Sequence, residues 1–182
     1  MRPVVRGVAW AVASAGLVAG CAGGAQEPDT DAATVGTKKS PYASIQLEKV
    51  LGKPGLCWSS DSDAGRVASL ELAPCARPGR RHQTFTLTRV ETGAEGRNWY
   101  QIRDDGTGQC LRALDGKPGA RVVQGRCAEG EEGQWSIRDS RFSNRGSGLV
   151  ITAVDEKPGS ALTTAKLSTG TGEDQKFDIR GL

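Results

Sequence analysis

Ala113-Leu-Asp-Gly-Lys-Pro-Gly-Ala-Arg-Val-Val-Gln-Gly-Arg-Cys127 and Ala153-Val-Asp-Glu-Lys-Pro-Gly-Ser-Ala-Leu-Thr-Thr-Ala-Lys-Leu167 align at a constant offset of 40 residues, without a gap. Self-similarity at a fixed period marks a structure assembled from repeated supersecondary units. Working upstream, Leu56-Cys57-Trp58-Ser-Ser-Asp61 precedes Val67-Ala-Ser-Leu-Glu-Leu-Ala-Pro-Cys75 in the same order, at an offset of 52 to 53. Each copy closes on a similar hydrophobic stretch: Gln83-Thr-Phe-Thr-Leu87, Gln134-Trp-Ser-Ile137 and Gln175-Lys-Phe-Asp-Ile179. The Gly-Lys-Pro-Gly at 52–55 is out of phase with the others and reads as an independent turn, since Pro-Gly suits a type II turn anywhere.

Within each copy the pattern is β. Runs of four to seven residues alternate apolar and polar, separated by Gly, Asp, Asn or Pro. The predicted strands are 43–50, 55–59, 67–73 and 83–89, then 98–103, 108–113, 121–126 and 134–138. In the third copy a short piece at 141–143 is followed by 148–154, 161–166 and 175–180. Twelve short strands in three sets of four predict an all-β, barrel-like fold whose closure removes exposed edges. The repeats span about 43–90, 97–139 and 140–182.

Three such copies, each with a Cys-hydrophobic pair, a later Cys and then Gln-x-aromatic, resemble the ricin B-type lectin domain. The resemblance covers 44–182 and implies a β-trefoil, three pseudosymmetric four-stranded units. The spacing from Cys75, Cys127 and Leu167 to the closing Gln is 8, 7 and 8. The second copy departs by reading Gln134-Trp135 with no intervening residue, and the third by having Val150 and Leu167 in place of cysteines.

Four cysteines remain when Cys21 is set aside, and four allow three disulfide connectivities. The register of the repeats selects Cys57–Cys75 and Cys110–Cys127. The third copy agrees, because it lacks both members of the pair together, and Val150 and Leu167 are expected to replace the bridge by apolar contact. Each bridge closes a short loop, worth roughly 3 kcal/mol in the chain-entropy description.

The resemblance assigns roles to particular positions. Phe85, Trp135 and Phe177 are the core aromatics of the closing motifs, and Trp58 is a core residue too, since it aligns with Leu111 and Ile151. Sugar sites of this family use a carboxylate two residues after the first Cys to accept from adjacent hydroxyls. They also use an aromatic two residues before the second Cys to stack on the sugar. Here those positions hold Ser59, Arg112 and Thr152, and Ala73, Gly125 and Ala165. The residues before the motif Gln are His82, Gly133 and Asp174. The remaining candidate carbohydrate contacts are Glu71, His82 and Gln83 in the first copy, and Asp174 and Gln175 in the third. Beside the first set stand Arg80 and Arg81, which could form a pocket for an acidic glycan; a solvated arginine loop is the simpler reading.

The N-terminal region predicts a compartment. Arg2 and Arg6 precede an apolar run over 8–18, and Val18-Ala-Gly-Cys21 places a cysteine directly after small residues. The run is too short for a bilayer span, which needs about 20 residues. The stretch resembles a bacterial lipoprotein signal: 1–20 would be removed and Cys21 diacylated, giving stable anchoring. Residues 21–42 are small and polar and predict a flexible tether reaching roughly 25 Å. The domain at 43–182 would therefore sit on the extracytoplasmic side of a bacterial membrane.

Charge and chemistry narrow the function. The chain carries 24 basic and 21 acidic residues, and removing Arg2 and Arg6 leaves a net +1. That balance gives no support for a nucleic-acid partner. His82 is the only histidine, so no Ser-His-Asp or Cys-His set is present apart from it. Asp61-Ser-Asp63-Ala-Gly65 resembles the start of a calcium loop, but Leu72 stands where its bidentate acid should be. The pairs Asp104-Asp105 and Glu131-Glu132 read as solvated turns. The expectation is a noncatalytic, cofactor-free carbohydrate-binding lipoprotein whose partner is an envelope or environmental glycan. The alternative is a protein-interaction trefoil that has lost sugar binding, similar to the lectin-like lipoprotein subunits of some bacterial toxins.

Overall fold

In the computed structural model, residues 40, 42–50, 55–60, 68–76, 80, 82–93, 96–127 and 130–182 are described. The predicted leader at 1–20, Cys21, nearly all of the tether, the first three residues of the 52–55 turn, the stretch 61–65 and Arg81 lie outside them.

Alternation in the sequence is realised as twelve strands. They are β1 Tyr42–Lys49, β2 Leu56–Ser60, β3 Leu70–Pro74, β4 Phe85–Thr92, β5 Asn98–Asp104 and β6 Cys110–Ala113. The second half holds β7 Val122–Gly125, β8 Trp135–Arg138, β9 Arg141–Asn144, β10 Val150–Ala153, β11 Leu162–Ala165 and β12 Phe177–Gly181. Four strands fall in each copy, and the short piece expected at 141–143 is β9.

Six strands form a ring. β1 pairs with β12 and β4, β4 with β5, β5 with β8, and β8 with β9, all antiparallel. The Phe177 N–H donates to Ser140 O at 2.8 Å, which brings β12 beside the start of β9. The hairpins β2–β3, β6–β7 and β10–β11 lie off the ring and interlock. Lys117-Pro-Gly119 and Lys157-Pro-Gly159 turn through type II geometry, with φ of +85° and +80° at the glycines. From these tips the Gly119 N–H donates to Thr164 O at 2.6 Å and the Gly159 N–H to Leu72 O at 2.8 Å; the Gln124 N–H completes the cycle on Ala68 O at 2.8 Å. This threefold, closed all-β arrangement is the β-trefoil that the repeats imply.

The core follows the repeat as well. Phe85, Trp135 and Phe177 are fully buried at equivalent positions, as are Trp58, Leu111 and Ile151. Burying each large side chain stabilises the fold by roughly 2–3 kcal/mol. Trp58 stands at the junction, with ring centroids 4.9 Å from Phe142, 5.1 Å from Phe177 and 6.3 Å from Phe85. Trp135 keeps its indole N–H satisfied on Leu111 O at 2.9 Å.

Two expectations need correction. Asp104 does not lie in a solvated turn; it is fully buried at the end of β5. Its Oδ1 accepts from the Gly106 and Thr107 N–H groups at 2.7 and 2.9 Å. Its Oδ2 accepts from Ser60 Oγ at 2.5 Å and Gln124 Nε2 at 2.7 Å. Four donors make a buried carboxylate tolerable. Secondly, Val150 is buried but Leu167 is 59% exposed, so the third copy does not replace its missing bridge with a buried apolar pair.

Asp104 has counterparts. Lys49 ends β1 and Asn144 ends β9, and both are buried. Asn144 Nδ2 donates to the carbonyls of Glu132 at 2.9 Å and Gln134 at 3.3 Å, tying the closing turn of the second copy. Lys49 Nζ donates to Glu173 O, tying that of the third, and pairs with Glu156 at 3.0 Å. Asp104 holds Ser60, whose N–H donates to His82 O at 3.0 Å in the first. Thus the strand that opens one copy braces the closing turn of the copy before it.

Candidate functional site

The three family sugar positions lie between a β2–β3-type hairpin and a closing turn, and local sequence sets what each contains. In the first copy, β2 and β3 pair with Ser59 opposite Glu71 and Cys57 opposite Ala73. Small side chains at 59 and 73 leave a cleft of about 350 Å³, also lined by Arg80, His82 and Gln83. Glu71 is on β3 but does not line this cleft; its backbone bridges to Ala161 of the third copy. His82 keeps its Nδ1 buried without a hydrogen-bond partner among the described residues.

Gln83 is already engaged. Its Oε1 accepts from the Ala76 N–H at 2.9 Å and its Nε2 donates to Pro74 O at 3.0 Å, so it clamps the backbone on both sides of Cys75. Gln175 repeats this around Leu167, accepting from the Ser168 N–H and donating to Lys166 O, both at 2.9 Å. Both glutamines are buried, and their amides act on the fold rather than on the cleft.

In the second copy the corresponding space is filled from within. A Cβ added at Gly125, where the stacking aromatic would stand, would lie 3.0 Å from Arg112 Cδ. Arg112 occupies the carboxylate position and crosses the place of the missing ring. On its other side Arg112 borders a separate hollow of about 350 Å³ that does not reach Gly125, where Glu131 and Glu132 bring both signs of charge together. In the third copy Thr152 and Asp174 engage each other, with Thr152 Oγ1 donating to Asp174 Oδ2 at 2.6 Å. That bond engages one oxygen of the exposed Asp174 carboxylate with the residue at the family's acid position.

The closing motif of the second copy is also registered differently from the sequence alignment. A 3-10 turn spans Glu131–Gly133 before Trp135, as one spans Glu173–Gln175 before Phe177. Counting back from the buried aromatic, Gly133 is the counterpart of Gln175, and Gln134 that of Lys176. The loop after Cys127 is two residues shorter than the loop after Leu167, so matching Gln to Gln misplaces the copy by one. Gln134 instead accepts from Arg145 Nη1 at 2.8 Å.

Both bridges join the expected cysteines, Cys57–Cys75 and Cys110–Cys127, with Cα separations of 5.0 and 4.8 Å. Among the described residues, no group of three or more His, Cys, Asp and Glu side chains is placed to hold a metal. Nor does any helix there have the length and apolarity to cross a membrane. Lys49 and Asn144 were not singled out by sequence reasoning, and Asp104 was read only as part of a solvated turn. The signal was available for two of them: extending the 40-residue offset upstream aligns Asp104-Asp-Gly-Thr-Gly with Asn144-Arg-Gly-Ser-Gly.

Residues 43–177 match the profile of the ricin-type beta-trefoil lectin domain. No curated protein matches the chain significantly. Among solved structures, the designed threefold-symmetric protein ThreeFoil superposes with a TM-score of 0.63 at 18% identity, covering 76% of this chain and 98% of its own. An agglutinin from Abrus precatorius gives 0.61 at 26% identity, covering 78% of this chain and 49% of its own. The chain therefore spans about half the length of that agglutinin. The cytolethal distending toxin of Haemophilus ducreyi gives 0.58 at 13% identity, covering 75% and 83%.

Proposed function

The chain belongs to the ricin-type beta-trefoil lectin domain family, and from that premise we propose that it is a noncatalytic carbohydrate-binding lipoprotein, anchored through Cys21 outside a bacterial membrane. The first-copy cleft carries this reading. It is the sugar position whose hairpin residues, Ser59 and Ala73, leave room, while Arg112 and the Thr152–Asp174 pair occupy the other two. Its polar groups suit a ligand bearing hydroxyls and an anionic substituent: the His82 ring, the Ser59 hydroxyl and the exposed Arg80. One module with a shallow site binds weakly, and many anchored copies on one surface would raise the effective affinity.

A glycan array probed with the full chain tests the binding. Saturable signal that falls on combining Arg80→Ala with His82→Ala supports the cleft; signal unchanged by both substitutions removes it. The anchor is tested separately, since Cys21→Ala should move the protein from the membrane fraction to the soluble one. The filled second and third positions favour one further reading, a trefoil that now recognises a protein. A silent array from a folded chain selects that reading.

A further inference from the structure

Cationic side chains also gather away from the three sugar positions. A groove of about 500 Å³ is lined by Arg97, Arg138, Arg141 and Arg145 around Trp99, and Asp139 is the one carboxylate among its described lining residues. It shares Arg97, Ser136 and Arg138 with a second cleft, of about 410 Å³, that reaches Tyr42 and Tyr100. The guanidinium carbons of Arg97 and Arg145 stand 5.7 and 5.4 Å from the Trp99 ring centroid. Stacking of this kind restrains long side chains before any ligand arrives.

The arginines are unequally matched. Arg145 is held by Glu91 and, through Nε, by Glu131 at 3.2 Å; the Glu91 hydrogen bond raises its pKa further, so its charge is permanent. Arg138 is largely exposed, and among the described residues its ion-pair partner is Asp139 at 3.9 Å, the outer limit of such a pair. Arg141 keeps its Nε buried with no partner among the described residues, while its Nη2 donates to Thr171 O at 3.5 Å. Arg97 lies exposed over the indole. At the other end Tyr42 and Tyr100 pack edge to face at 6.0 Å, both half-buried.

We propose that these two adjoining clefts together bind an acidic oligosaccharide, with Arg97, Arg138 and Arg141 receiving its carboxylates and the tyrosine pair receiving a sugar ring. The assignment rests on the lectin reading above but names a different site and a ligand class. Guanidinium groups bind carboxylates through paired hydrogen bonds, so the interaction is short-ranged and does not need a strongly basic chain. A nucleic acid fits less well, because bases need open stacking faces and Trp99 already carries two guanidinium groups.

The test is calorimetric titration of the full chain with oligogalacturonate, its methyl ester and single-stranded DNA of similar charge. The expected result is binding to the acid form, roughly tenfold weaker for the ester and for Arg97→Gln combined with Arg138→Gln. Retention of that binding in Arg80→Ala, His82→Ala separates the groove from the first-copy cleft. Equal affinity for acid and ester, equal or tighter binding of DNA, or indifference to the Arg97 and Arg138 substitutions overturns the proposal. Array binding of neutral glycans without oligogalacturonate binding refutes the groove and spares the lectin reading; no binding of either class ends both.

Discussion

The second and third copies follow one backbone plan, yet the same joint is held by different chemistry in each. In the second, Cys110–Cys127 ties the first strand of the hairpin to the chain beyond the second, and Gly133 stands where a clamping glutamine would be. The third has no bridge, and Gln175 grips Lys166 and Ser168 on either side of Leu167. The first copy has both devices, Cys57–Cys75 and the Gln83 clamp. A covalent tie and a two-point amide clamp are therefore interchangeable ways of fixing the hairpin's exit. Leu167 can be exposed for this reason: the glutamine, not an apolar contact, does what the disulfide does elsewhere.

The largest effect should come from what the copies share. Asp104→Ala leaves two side-chain donors and two backbone N–H groups without their acceptor in a buried site, at a cost of about 4 kcal/mol. Denaturant titration measures it, and a loss below about 1 kcal/mol would show that the buried network is not what braces the joint. Next come the bridges. Removing either cysteine pair by alanine should cost about 3 kcal/mol, because the closed loops are of nearly equal length. The two variants should differ in where order is lost. The Ala76 amide, still held by Gln83, stays protected from hydrogen exchange without Cys57–Cys75, whereas the chain around Cys127 loses protection without Cys110–Cys127. Equal loss in both would break the distinction between the copies.

The glutamine clamps give a smaller and sharper contrast. Gln175→Ala removes two hydrogen bonds at a joint with no bridge and should cost about 2 kcal/mol. Gln83→Ala removes the same two bonds beside Cys57–Cys75 and should cost about 1 kcal/mol, since the disulfide keeps that turn in place. Reducing agent should erase the difference, which thermal unfolding with and without it would reveal.

Much of this plan was legible in the sequence and some of it was not, for identifiable reasons. The unbroken 40-residue offset exposed the repeat, the strand order and the cysteine pairing, because hairpins and bridges are local in sequence. Asp104 misled because Asp-Asp-Gly reads as a turn; the first Asp is the last residue of β5, turned inward to meet Ser60 and Gln124 from elsewhere in the chain. The arginine groove was invisible for a similar reason. Its members come from 97 through 145, and a near-neutral total charge hides where the charges gather. Ser59 and Ala73 in the first site are plain in the sequence, but no pattern could say that Arg112 crosses the equivalent space in the second.

Gln134 is the last test, and it separates alignment from structure. If Gln134 were the motif glutamine, as matching Gln to Gln implies, Gln134→Ala should cost as much as Gln175→Ala. The structure places it one position later, where it contributes one acceptor to an Arg145 that Glu91 and Glu131 also hold. Gln134 is buried, and losing its acceptor for Arg145 should cost about 1 kcal/mol, half of what is expected for Gln175→Ala. Parallel urea titrations of the two variants decide it: a clear gap supports the shortened turn, and equal losses would mean that Gln134 performs the clamp after all.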